Sequence, residues 1–173
     1  MRADQGATPR MAKEWIESLA QDVKQKNRDA AQKFGRTEHY AGVIADRGKD
    51  FFVGLVFDLK ENVDAFRRHL QGDYTSADTS LHTVKPGEVK ITRARFPWVD
   101  ARLVHKDDTI TLDYAKDPGA QGDPSLDRKT RTFAFQVAAD DTLFIEDAFA
   151  EVPNAYRRPE ELARHITEVL FAA

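Results

Sequence analysis

No cysteine occurs in this chain. Disulfides, thiolate nucleophiles and Cys-ligated zinc are therefore excluded. Excess positive charge is missing too. Lys and Arg number 26 against 29 Asp and Glu, for a formal net charge of -3. That is not the footprint of a general nucleic-acid binder, and no nucleic-acid partner is expected. No apolar run approaches the roughly 20 residues of a membrane-spanning helix. The polar start, MRADQGATPR, has no apolar signal-peptide core behind it. The expectation is a cytoplasmic protein with no membrane partner.

Catalytic signatures are absent as well. There is no Gly-rich phosphate loop, no dinucleotide fingerprint and no Gly-x-Ser-x-Gly elbow. His39, His69, His82, His105 and His165 show no metal-ligand spacing, so neither a metal nor a cofactor is expected. Asp78, His82 and the loop hydroxyls Ser76, Ser80 and Thr83 do not amount to a triad.

What is present is ordinary globular material. The 173 residues are 41% hydrophobic, with 11 Phe, 4 Tyr and 2 Trp to fill a single core. The expectation is one domain over residues 1–173.

The segment Asp50–Leu59, DFFVGLVFDL, dominates the reading. Phe51 to Phe57 carry no side-chain polar group. A half-wetted strand alternates, and this run does not, so it is taken as a central strand covered on both faces. Glu38–Ala45 is its hairpin partner through the turn Asp46-Arg47-Gly48-Lys49. Gly42 and Gly54 then mark close approach of a neighbour. A scaffold helix precedes the hairpin over Pro9–Phe34, with Met11, Trp15, Leu19, Val23, Ala30 and Phe34 on one face. A short helix over Glu61–Gln71 follows it.

Residues 72–88 and 116–127 are long loops, where function often resides. Between them Val89–His105, interrupted near Pro97, pairs with Thr109–Ala115. In the register that sets His105 against Ile110, Leu103 faces Leu112, Ala101 faces Tyr114, and Arg102 forms an ion pair with Asp113. Arg131–Ala139 and Leu143–Phe149 make a last hairpin with Ala139 opposite Leu143. Pro159 opens a final helix with Glu160 and Glu161 at its positive end and Leu162, Ile166, Val169 and Leu170 on its apolar side. The sum is an α+β fold. A single curved antiparallel sheet of about six strands carries a long N-terminal helix, a short middle helix and a C-terminal helix.

One anomaly points to a site. Arg93 and Arg95 share the parity of Val89, Ile91, Val99, Ala101 and Leu103, the core face. A buried guanidinium needs a partner. Three readings follow: a kink at Pro97 that leaves both arginines in solvent, a buried ion pair with Asp147, or an anion-binding pocket. Trp98 beside them suits stacking on a flat ligand. The candidate ligand-binding residues are Arg93, Arg95, Trp98, Asp147, Tyr114 and His105.

The leading functional reading is a non-catalytic module that binds a protein partner or a small anionic ligand. A small enzyme using His105, Asp147 or Tyr114 as acid–base groups is the first alternative. A structural homodimer through the Phe52-Gly54-Val56 face is the second.

Overall fold

The computed structural model describes residues 9–70, 79–94, 98–116 and 128–172, and side chains from Trp15 onward. The chain divides into two units, with the boundary between His39 and Tyr40.

Helix α1, Pro9–His69, is followed by strands β1 (Thr79–Lys85), β2 (Glu88–Arg93), β3 (Val99–Lys106), β4 (Thr109–Lys116), β5 (Lys129–Val137), β6 (Leu143–Asp147) and β7 (Ala155–Tyr156), then by helix α2, Pro159–Phe171. The strands form one sheet in chain order, every neighbour antiparallel. The α+β class holds, but among the described residues the sheet has seven strands rather than about six, and the segment read as a middle helix is, through His69, the end of α1.

The largest departure lies in the phenylalanine-rich run. Asp50–Leu59 is helix, as are Glu38–Ala45, the supposed turn at Gly48, and most of Glu61–Gln71. The physical reason is visible in the burial. Phe51, Phe52, Leu55, Leu59 and Val63 are buried at spacings of three and four, while Val53 and Phe57 are 68% and 63% exposed. The run is apolar throughout because its outer side also carries large residues, not because both sides are covered. A short apolar run does not distinguish a covered strand from a helix. The spacing that continues to Val63 does.

This helical face packs on one side of the sheet. Val89 and Ile91, Ala101 and Leu103, Ile110 and Leu112, Phe133 and Phe135, and Ile145 alternate inward along their strands and share one core with Leu55, Leu59 and Val63. Leu162, Ala163, Ile166 and Leu170 of α2 complete it. Gly54 lets the start of α2 approach, since a Cβ there would lie 3.0 Å from the Pro159 ring. At that start Glu161 Oε2 accepts the backbone N–H groups of Arg157 and Arg158 at 2.8 and 3.2 Å, satisfying two donors ahead of the first turn. On the proposed Phe52-Gly54-Val56 face, Phe52 is buried and Gly54 lies against Pro159.

The opposite side of the sheet is polar. The β3–β4 register is as read, with His105 against Ile110 and Arg102 against Asp113. The ion pairs are shared differently. Arg102 bonds Glu88 at 2.7 Å, and Asp113 bonds Arg128 at 3.0 Å. Arg128 also reaches Asp100 at 3.1 Å. Burial alone raises the Asp100 pKa, but hydrogen bonds from Arg128 and Lys90 carry it below the usual value.

In the last hairpin Leu143 faces Val137 rather than Ala139. The turn is longer than expected, with Ala138 N–H bonded to Thr142 O and Asp141 in the left-handed region at φ 62. The slip is two residues, so each side chain keeps its face. Part of the 72–88 loop is strand β1; residues 71–78 and 117–127 lie outside the described set.

Candidate functional site

The five described candidate residues do not form one site. Arg95 lies outside the described residues. Trp98 is half-buried just before β3, and Tyr114 is buried on the core face of β4. Tyr114 pairs with Ala101, four residues along the ladder from the pair His105–Ile110, or about 13 Å. Asp147 is on β6, four strand spacings from Arg93 on β2, about 19 Å across the sheet. The Arg93–Asp147 pair is therefore replaced by two separate arrangements.

Arg93 does point inward, at 3% exposure. It donates from Nη1 to Thr79 Oγ1 at 2.8 Å, and its guanidinium carbon lies 5.2 Å from the centroid of the Phe66 ring. Phe66 in turn stacks on Phe171 with centroids 4.7 Å apart. The arginine is held by an aromatic face and a buried hydroxyl.

Asp147 belongs to a second cluster. Its Oδ2 is 3.8 Å from Arg131 Nη1, and its Oδ1 accepts the Phe149 N–H. Arg131 Nη1 is also 3.0 Å from His165 Nε2. Tyr156 and Phe133 flank the His165 ring at 5.4 and 6.3 Å. Burial, and then the charge of Arg131, hold His165 below the ordinary imidazole pKa.

His105 sits elsewhere, beside a cleft of about 700 Å³. Phe52, Val53 and Val56 of α1 form one wall. Thr83, Pro86, Gly87 and Val89 of the first hairpin form the other, and Lys49, Lys106 and Asp107 supply charge. Two turns meet there. Gly87 has φ 79, which an L side chain rarely adopts, and its carbonyl accepts the His105 N–H at 2.8 Å. Asp107, in the next turn, is also left-handed at φ 52.

The His105 ring stacks on Phe52 with centroids 5.4 Å apart and meets Phe135 edge-on at 5.7 Å. Its Nε2 is buried without a hydrogen-bond partner, 3.6 Å from where a Cβ on Gly48 would lie. Burial lowers the His105 pKa first, and Lys49 adds to that; the Asp107 bond and charge pull the other way. His105 is thus a packed wall residue whose burial disfavours the charged form.

Sequence reasoning found His105 and missed the rest of the cleft. The helical wall was assigned to a strand. The two hairpin turns carried signals, Pro86-Gly87 and Asp107-Asp108, but nothing local placed them side by side.

Among the described residues no group of three or more His, Asp or Glu is placed to hold a metal ion, and no helix is long and apolar enough to cross a membrane. Comparison with protein-family models, curated proteins and solved structures returned no match.

Proposed function

We propose that the chain is a binding module whose α1–hairpin cleft takes a small amphipathic ligand. An apolar body rests on Phe52, Val53, Val56 and Val89, and an anionic end meets Lys49 and Lys106. The observation that carries this reading is the cleft itself: an open volume of about 700 Å³ with an aromatic and aliphatic wall and two lysines. Apolar pockets with a few charged groups are the usual form of a small-molecule site. A non-catalytic role is favoured over acid–base chemistry because the one imidazole present turns its free nitrogen into packed protein, not toward the cleft. A cytoplasmic setting suits a cysteine-free chain.

An anionic, apolar fluorophore such as anilinonaphthalene sulfonate tests it. Saturable fluorescence enhancement at one site is expected, abolished by Val56→Arg and weakened about tenfold by Lys49→Glu with Lys106→Glu. Enhancement that ignores all three substitutions contradicts the reading.

A further inference from the structure

The first unit offers an apolar surface unrelated to the cleft. Between Trp15 and Phe34, α1 carries Trp15, Ile16, Leu19, Val23, Ala30 and Phe34. At 3.6 residues per turn these six lie within an arc of about 100°. The five large ones are each at least half exposed, and Phe34 reaches 65%. A concentration of apolar surface of this kind marks an interaction site.

We infer that its occupant is a second copy of the same helix, packed antiparallel. Charge gives the first argument. Asp22, Lys26, Asp29 and Lys33 run along one margin of the stripe with signs alternating. In an antiparallel pair each margin faces itself in reverse. Asp22 then comes level with Lys33 of the second copy, and Lys26 with Asp29. A parallel pair sets this margin against the other one, where Ala20, Asn27 and Ala31 offer the charges no partners. Asp29 also accepts from Gln25 Nε2 at 2.9 Å, which leaves its second oxygen available.

Packing gives the second argument, and it selects the same register. With Asp22 level with Lys33, Phe34 lies over the gap between Leu19 and Val23 of the other helix. Val23 lies over the gap between Ala30 and Phe34. Knobs meet holes along the stripe, and Ala30 leaves room for close approach. Asn27 falls within about 2 Å, along the axis, of its own counterpart. At the edge of the stripe the two amides can then hydrogen-bond across the pair, which favours this register.

A lipid surface fits less well. Five basic and four acidic residues occur between Trp15 and His39, so the segment lacks the strong positive face that draws amphipathic helices to anionic membranes.

The absence of cysteine makes the test clean. Sedimentation of the full chain at micromolar concentration is expected to show a dimer. Lys33→Glu should weaken it at least tenfold, and adding Asp22→Lys should restore it. Single-cysteine variants then read direction. Asn27→Cys is expected to form an intermolecular disulfide on oxidation. Trp15→Cys should not, because its two copies stand about 38 Å apart along the pair. A chain that stays monomeric, cross-linking by Trp15→Cys as efficient as by Asn27→Cys, or binding to vesicles without self-association would each overturn the inference.

Discussion

Arg131 donates to Nε2 of His165 at 3.0 Å, and an arginine has no lone pair to offer in return. His165 must therefore be neutral, with its proton on Nδ1. Its folded pKa lies below the unfolded one, in part because the Arg131 charge stands beside it.

Stability should depend on this proton. In a window below the unfolded value of about 6.5 the unfolded chain binds a proton that the native His165 refuses. The contribution is complete above that value and is lost as pH falls through the folded pKa. His105, also lowered by burial, acts in the same direction. Urea unfolding across this range should show a plateau above neutrality and a decline below it. Arg131→Met should cost about 1 kcal/mol on the plateau, through the lost hydrogen bond, and should make the acid decline shallower.

Leu55 and Phe57 separate the helical account of the phenylalanine-rich run from a strand. On a strand, residues two apart share a face. On α1, Leu55 is fully buried and Phe57 is 63% exposed. Leu55→Ala should cost about 2–5 kcal/mol, and Phe57→Ala about 0.5 kcal/mol or less, in denaturant titration. Equal losses would return the segment to a sheet.

Much else in the sheet was legible. Parity alone aligned β3 with β4, because one face of each strand is dry and the other carries charge; for Arg93 it left the inward and the solvent-facing readings both open. The C-terminal helix was legible from Pro159, Glu160 and Glu161. Asp50–Leu59 was not, since Val53 and Phe57 place large apolar groups on the outer side of α1 and erase the contrast that marks a helical face. The cleft was hidden for a different reason. Lys49, Phe52, Gly87 and His105 meet only through tertiary packing, and no local pattern joins them.

Two packed glycines of α1, Gly48 and Gly54, should respond in opposite ways. A Cβ at Gly48 meets Phe135 at 3.4 Å and His105 at 3.6 Å, ordinary contact distances. Gly48→Ala should stabilise by up to about 1 kcal/mol, as removing a mid-helix glycine does. At Gly54 a Cβ already lies 3.0 Å from Pro159, so Gly54→Val should cost about 1–3 kcal/mol by forcing α2 outward. Thermal melts of the two variants check the pair.

Residue-resolved NMR during titration with a medium-chain carboxylate tests the cleft as a ligand site most directly. Saturable shifts are predicted at Phe52, Val56, Gly87 and His105, with the matching neutral alcohol binding more weakly. Shifts that never saturate, or that centre on residues away from these four, would contradict it.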